Sequence, residues 1–378
     1  MVEYVVDNCY RLAAGVARAG KDYGSCSGMT RPRVYVGMSG GVDSSVAAAL
    51  LLDQDYDVTG VYMKNWSQDL PGMQCPWAED LADAKRVAVQ LGIDFKVFDF
   101  ETQYRQKVVD YMLDEYRAGR TPNPDIMCNQ EVKFKLFLET SLAAGADYIA
   151  TGHYARVERL AYTARLLRAG DDNKDQTYFL YRVTSEALAK TVFPLGSLTK
   201  PEVRQIAKDR GLWTARKKES MGVCFVGNVG MREFLSQYIT TRPGDIIDKE
   251  SGRVLGRHDG AIFYTLGQRH GLDVGGGLPY YVVGKNMDKN EVYVSRNIND
   301  EHIWRTEIKL TDIHWINQPL TEGARIQVRL RHRGALINAI YSADILHLES
   351  AERAVAPGQS AVVYRGEECL GGGIMSDI

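Results

Sequence analysis

Between residues 33 and 151 short apolar runs alternate with stretches of helical character. Arg33–Met38 reads as a buried strand, Val42–Asp53 (VDSSVAAALLLD) as a helix, Asp57–Lys64 (DVTGVYMK) as a strand and Ala78–Leu91 as a helix. Asp94–Phe100 (DFKVFDF) alternates as a strand, and Thr102–Tyr116 reads as a helix. A proline-rich loop, GRTPNPDIMCN, leads into a helix over Glu131–Ala143, and Asp147–Thr151 is a further strand. Strands separated by helices of this size predict βαβ units and a parallel sheet.

From residue 245 the pattern changes to short β-like runs with glycine turns, among them EVYVSR, ARIQVRLRHRG and QSAVVYRGEECLGGG. These predict one or two small antiparallel β modules. A mixed region lies between, with helices at Lys200–Arg210 and Met231–Tyr238. The expected division is an N-terminal extension (1–30), an α/β domain (31–228), a central α+β domain (229–288) and a C-terminal β-barrel-like domain (289–378). Part of 190–215 is expected to pack with the central domain.

A length of 378 residues fits two or three domains. Hydrophobic residues make up 45% and charged residues 25%, ordinary for a globular chain. No apolar run approaches the roughly 18 residues of a membrane span, so no membrane partner is expected. With a net charge of −2, any nucleic-acid site has to be a local patch. The six cysteines, Cys9, Cys26, Cys75, Cys128, Cys224 and Cys369, form no C-x-x-C pair. That argues against a zinc ribbon, an iron–sulfur site and a disulfide scaffold, and for reduced thiols in the cytoplasm; no metal-ligand cluster is expected. Acidic Glu3 and Asp7 argue against a signal peptide. Residues 1–30 are either a native segment with a helix near Cys9–Ala19 or a stretch ahead of a start at Met29.

The chemistry begins at SGGVDSS, residues 39–45, joining strand to helix. Gly40 and Gly41 permit a tight turn and close ligand approach. The loop amides and the helix N-terminus favour an anion, and Ser39, Ser44 and Ser45 add hydroxyls. A Walker lysine is absent. In TPNPDIMCN, Pro122 and Pro124 are expected to hold the chain extended, with Asp125 three residues before Cys128. In KKESMGVCF, Lys217 and Lys218 are placed to favour a thiolate at Cys224. Buried, inert thiols are the competing reading for both cysteines, and the expected one for the other four. In ARIQVRLRHRG, Ile326, Val328 and Leu330 alternate with Arg325, Gln327, Arg329 and Arg331. A strand there buries one face and displays arginines suited to phosphates, or merely a solvated face.

GMSGGVDSSV, MKNW, GRTPNPDIMCN, ATGHYAR, NKDQTYFLY, KKESMGVCF, TLGQRHGL and PGQSAVVY…CLGGG follow in this order, and the chain from about 33 to 373 resembles the tRNA-specific 2-thiouridylases. Departures are ESMGVCF where DSTGICF is more usual and His332 where an aromatic often follows the arginine. The resemblance implies an adenine-nucleotide α-hydrolase-like (PP-loop) fold for the first domain. It implies ATP, with Mg²⁺ arriving alongside, on Gly37, Met38, Ser39, Gly40, Gly41, Val42, Asp43 and Ser44, with Met63 at the adenine and Gly152 close by. Asn123, Pro124 and Asp125 would meet the tRNA substrate, and His153 would lie near the ATP or the target base. Lys174, Asp175, Gln176, Arg331, His332 and Gln359 would meet tRNA.

The implied reaction adenylates the 2-oxygen of the wobble uridine in tRNAs for lysine, glutamate and glutamine. Sulfur then arrives from a persulfide on Cys224, with Cys128 as its partner and Asp125 as acid or base. Either the persulfide attacks directly or Cys128 first frees hydrosulfide. A persulfide relay protein or cysteine desulfurase is the implied donor, and a cytoplasmic monomer the expected state. An amidating ligase of the same nucleotide fold, or an ATP- or RNA-binding module without chemistry, are the alternatives.

Overall fold

The computed structural model describes residues 30–69, 75–218, 230–275, 277, 279–297, 304–353 and 355–376. The chain divides into a short unit, Met1–Arg31, and a large one, Pro32–Ile378, to which all elements below belong.

The first strand, β1 (Arg33–Gly37), is almost wholly buried. It runs parallel to β2 (Asp57–Lys64) on one side and to β4 (Tyr148–Ala150) on the other, with Val34 opposite both Val58 and Tyr148. Outside β2 lies β3 (Asp94–Asp99). Beyond β4 the chain leaves the sheet in a hairpin, β5 (Arg156–Arg159) and β6 (Ala164–Leu167), then returns as β7 (Thr191–Val192). The order β3-β2-β1-β4-β7 reverses direction of growth at β1. In open α/β sheets ligands bind beyond the carboxyl ends of the strands at such a point.

Helix α1 (Val42–Asp53) follows β1 and buries eight of its twelve residues, as its run of alanines and leucines allows. Helix α2 (Trp77–Leu91) is amphipathic and stops at Gly92, which takes the left-handed C-cap conformation. The stretch Glu101–Arg117 is helical throughout, with π winding over Arg105–Val109 and α3 at Asp110–Arg117. The segment expected to be extended by its prolines is so only up to Asn123. Pro124 opens α4 (Pro124–Met127), because a missing N–H costs nothing at a first helical position. The helix continues through a π segment, Cys128–Leu136, into α5 (Phe137–Ala143).

Helix α6 (Lys200–Asp209) packs against α1 through Val203 and Ala207, which share a core with Val42, Val46 and Ala47. Thr199 and Glu202 close a capping box at its start. It therefore packs in the first domain, on the helix that follows β1.

The central sheet has the order β10-β11-β8-β9, from β8 (Gly244–Asp248), β9 (Val254–His258), β10 (Tyr281–Asn286) and β11 (Glu291–Ser295). It runs past the boundary expected at residue 288.

The last six strands, β12 (Trp304–Trp315), β13 (Ala324–Arg329), β14 (Ile337–Ser342), β15 (Ile345–Arg353), β16 (Ser360–Arg365) and β17 (Glu368–Met375), close through β12–β17 pairing into an antiparallel barrel. Strand alternation gives β16 two jobs. Ala361 and Val363 fill the barrel, while Val362 and Tyr364 enter a core shared with Phe134, Phe137 and Tyr181 of the first domain. The hairpin β5–β6 adds to β17, with Leu166 opposite Cys369, so the two domains share one sheet.

Candidate active site

The carboxyl ends of β1, β2 and β4 border a cavity of about 280 Å³, just below the roughly 300–1,000 Å³ of small-molecule sites. Gly37–Ser39, Asp43 and Ser44 form one wall, Met63 and Trp66 another, and Thr151–His153 a third. Gly41 caps α1 without a side-chain hydrogen bond, leaving the first amides of the helix for an anion. Gly40 has φ +71°, and a Cβ there would stand 2.4 Å from the Asp80 carbonyl oxygen. A Cβ on Gly152 would stand 2.8 Å from the backbone of Asp43 and Ser44. Both glycines are demanded by close backbone approach.

The serines divide their work. Ser39 and Ser44 line the cavity, the Ser44 hydroxyl donating to the Gly41 carbonyl at 3.1 Å. Ser45 does not serve as a ligand donor: it is fully buried, gives its proton to the same carbonyl at 2.8 Å and accepts from Thr214 at 2.9 Å. Val42 is buried in the α1–α6 core, so it contributes backbone only.

Asp43 is held from two sides. Lys200 donates to both carboxylate oxygens at 2.8 Å, and the Tyr154 hydroxyl donates at 2.9 Å. Lys200 is buried in this ion pair. Arg204 likewise donates to the carbonyls of Ala215 and Lys217.

Asn123 accepts from the Asp125 amide at 3.2 Å and so caps α4. Asp125 sits in the first turn. Burial raises its carboxyl pKa, against the opposing pull of the Lys133 ammonium. Cys128 is buried three residues on, where the π segment begins. Thr151 hydrogen-bonds His153 Nδ1 at 2.8 Å, and the His153 ring packs against Phe134 and Phe193. Burial and Lys133 hold His153 neutral, its pKa well below the usual value. Lys133 itself lines the cavity and was not picked out from sequence, because EVKFKLF reads there only as one side of a helix.

Cys224 lies outside the described residues. Lys217, expected to favour a thiolate there, donates to Asp80 at 2.8 Å and Asp83 at 2.7 Å, so two carboxylates offset its charge. Cys369 is buried and its thiol pKa is pushed up, as expected of an inert core cysteine.

A family model described as the tRNA methyl transferase HUP domain matches residues 32–228, a tRNA methyl transferase PRC-barrel domain 232–296, and an aminomethyltransferase beta-barrel domain 305–375. The tRNA-specific 2-thiouridylase MnmA of Bacillus subtilis is 49% identical over 355 residues, 92% of this chain and 95% of its own length. That of Bacillus velezensis is 49% identical over 354 residues, with the same coverage. The chain belongs to the tRNA-specific 2-thiouridylase family. Among solved structures, a 4-thiouridine synthetase–RNA complex with bound ATP aligns over 55% of this chain and 50% of its own, at 17% identity and a TM-score of 0.37.

The positions that the family resemblance assigned to tRNA fall into two groups. Arg331 is exposed, 3.5 Å from Glu352, and Lys174 is partly exposed. His332 stacks on Phe179 with ring centroids 4.5 Å apart. Asp175, by contrast, is 1% exposed. It accepts from Arg329 at 2.6 Å, from the Thr177 hydroxyl at 2.9 Å and from the Ala169 amide at 3.2 Å. Arg329 is 6% exposed and stacks on Tyr364. Neither can meet RNA in this fold: the expected arginine stripe is interrupted at Arg329, which faces the first domain. Gln176 turns inward as well, lining the cavity and accepting from the Tyr154 amide at 2.9 Å. Gln359 donates to the Thr121 carbonyl at 2.9 Å, and Thr121 donates its amide to Pro357. The barrel therefore holds the loop that leads to Asp125 and Cys128.

Proposed function

We propose that this chain uses ATP to replace the 2-oxygen of a tRNA uridine with sulfur, releasing AMP and pyrophosphate. The observation that carries this reading is an uncapped glycine loop that lines one cavity with Lys133, from the helical run that carries Asp125 and the buried Cys128, in a chain about half identical to 2-thiouridylases across their length. A uracil oxygen is a poor leaving group, and adenylation converts it into AMP. Pyrophosphate rests on the α1 N-terminus, and the adenine lies toward Met63. The uracil enters beside Asn123–Asp125. Asp125, whose burial favours the protonated carboxyl, suits donation of a proton to the base before sulfur arrives.

Sulfur arrives as a persulfide on Cys224, with a persulfide relay protein or cysteine desulfurase as donor. The Cys128 thiolate attacks Cys224 and breaks the sulfur–sulfur bond, leaving a Cys128–Cys224 disulfide, either after the outer sulfur has bonded to the uracil carbon or before, freeing it as hydrosulfide. Mg²⁺ comes with ATP. Among the described residues no group of three or more His, Cys, Asp or Glu could hold a metal. Lys174, Arg331 and His332 supply the exposed edge for RNA. The lysine, glutamate and glutamine tRNAs are the proposed substrates, and a cytoplasmic monomer the proposed state. No helix among the described residues is long and apolar enough to cross a membrane.

The family models carry the words methyl transferase. Methyl transfer from a sulfonium needs neither an α-phosphate nor paired thiols, so the site favours thiolation. The test is mass spectrometry of nucleosides from unmodified glutamate tRNA incubated with protein, ATP, Mg²⁺ and a sulfide source. The expected result is an ATP-dependent sulfur-for-oxygen mass gain at the wobble uridine. With a persulfide donor, Cys224→Ser should abolish it and leave ATP and tRNA binding intact. AMP formation without the gain would move the search to another acceptor.

A further inference from the structure

The helix that carries Cys128 is wound with i→i+5 hydrogen bonds from Cys128 to Leu136. Such π segments concentrate at functional sites. In this winding the amide of residue i+5 bonds to the carbonyl of residue i, so Lys133 follows Cys128 by one turn. Val132 is fully buried, and Lys135 turns outward to Glu131 at 3.3 Å. Lys133 reaches the nucleotide cavity, where it is the only lysine or arginine among the described lining residues. Its charge acts on Asp125, on the cysteine side, and on His153, on the nucleotide side.

We propose that Lys133 is a catalytic residue whose ammonium contacts the α-phosphate of ATP during adenylation and the departing AMP during thiolation. The inference rests on the adenylation reading given above. In the first step the uracil oxygen attacks the α-phosphorus, and the bond to pyrophosphate breaks, its electron pair leaving with pyrophosphate. In the second, sulfur attacks the uracil carbon, and the carbon–oxygen bond breaks, its electron pair leaving with AMP. Negative charge centres on the α-phosphate both times. A lysine on the helix that carries Cys128 stabilises that charge without giving or taking a proton. The pyrophosphate loop supplies amides for the departing end but no cation for this one.

The experiment is single-turnover, tRNA-dependent pyrophosphate release, with ATP affinity and thermal midpoint measured on the same samples. Lys133→Met is expected to lose about 10²–10³-fold in rate, the usual cost of one charge-stabilising donor, with little change in ATP affinity. Lys133→Arg should recover much of that loss, and Lys133→Gln replaces the methionine variant if that one fails to fold. Release at the wild-type rate from Lys133→Met overturns the proposal. So does a Lys133→Arg protein as slow as Lys133→Met when both melt like wild type. Absence of tRNA-dependent release from the wild-type protein overturns the adenylation reading itself, and this inference with it.

Discussion

A methyl group on Gly152 would press on the backbone where α1 begins, at 2.8 Å from Asp43 and Ser44. Relief has to come from backbone, since no flexible side-chain end is in the way. Gly152→Ala is therefore expected to weaken ATP binding by about tenfold or more, roughly 1.4 kcal/mol, in a calorimetric titration with ATP and Mg²⁺. Unchanged affinity would separate Gly152 from the nucleotide. Asp43→Ala is expected to cripple tRNA-dependent pyrophosphate release, and normal release would remove this carboxylate from the mechanism. Both positions were legible in the sequence because a glycine and an acid in SGGVD and ATGH have few other reasons to be there. The partners of Asp43 were not: Lys200 and Tyr154 lie more than 100 residues away in chain order and meet it only through the fold. Nor does the chain in extended form reveal that Lys133 rather than Lys135 faces the cavity.

At the scale of elements, β13 separates what alternation can forecast from what it cannot. Ile326 and Val328 do point into the barrel. The opposite face was expected to be uniformly wet, yet it passes from solvent at Arg325 to the interdomain core at Arg329. The hairpin β5–β6 escaped notice for a related reason: its pairing partner, Cys369, lies two hundred residues later. These facts split the expected effect of the arginines. Arg331→Ala should weaken tRNA binding evenly across sequences and lower the salt slope by about one. Arg329→Ala should leave the slope unchanged and cost about 3 kcal/mol in urea denaturation, since it strands the buried Asp175 carboxylate. A changed slope for Arg329→Ala, or an unchanged one for Arg331→Ala, would reverse the assignment of these two residues.

Across the whole molecule, His153, His258, His314 and His332 share one property: burial lowers the pKa of each below that of free imidazole. Between the folded and unfolded values the unfolded chain binds protons that the folded chain refuses. The stability held by these groups is full above about pH 6.5 and is lost as pH falls toward the folded values. Each contributes a slope of up to about 1.4 kcal/mol per pH unit. Asp125 works the other way: its raised pKa means that its charged form costs stability, a cost that disappears as pH falls through its folded value. Four histidines outweigh one carboxyl, so unfolding free energy should fall as pH drops from about 6.5 to 5.5. Denaturant melts across that range check it, and a flat profile would show that the histidines charge freely within the fold. His153→Gln should shallow the decline by up to one proton's share without abolishing it, because the other three sit in separate parts of the molecule: His258 in the central domain, His314 and His332 on the barrel.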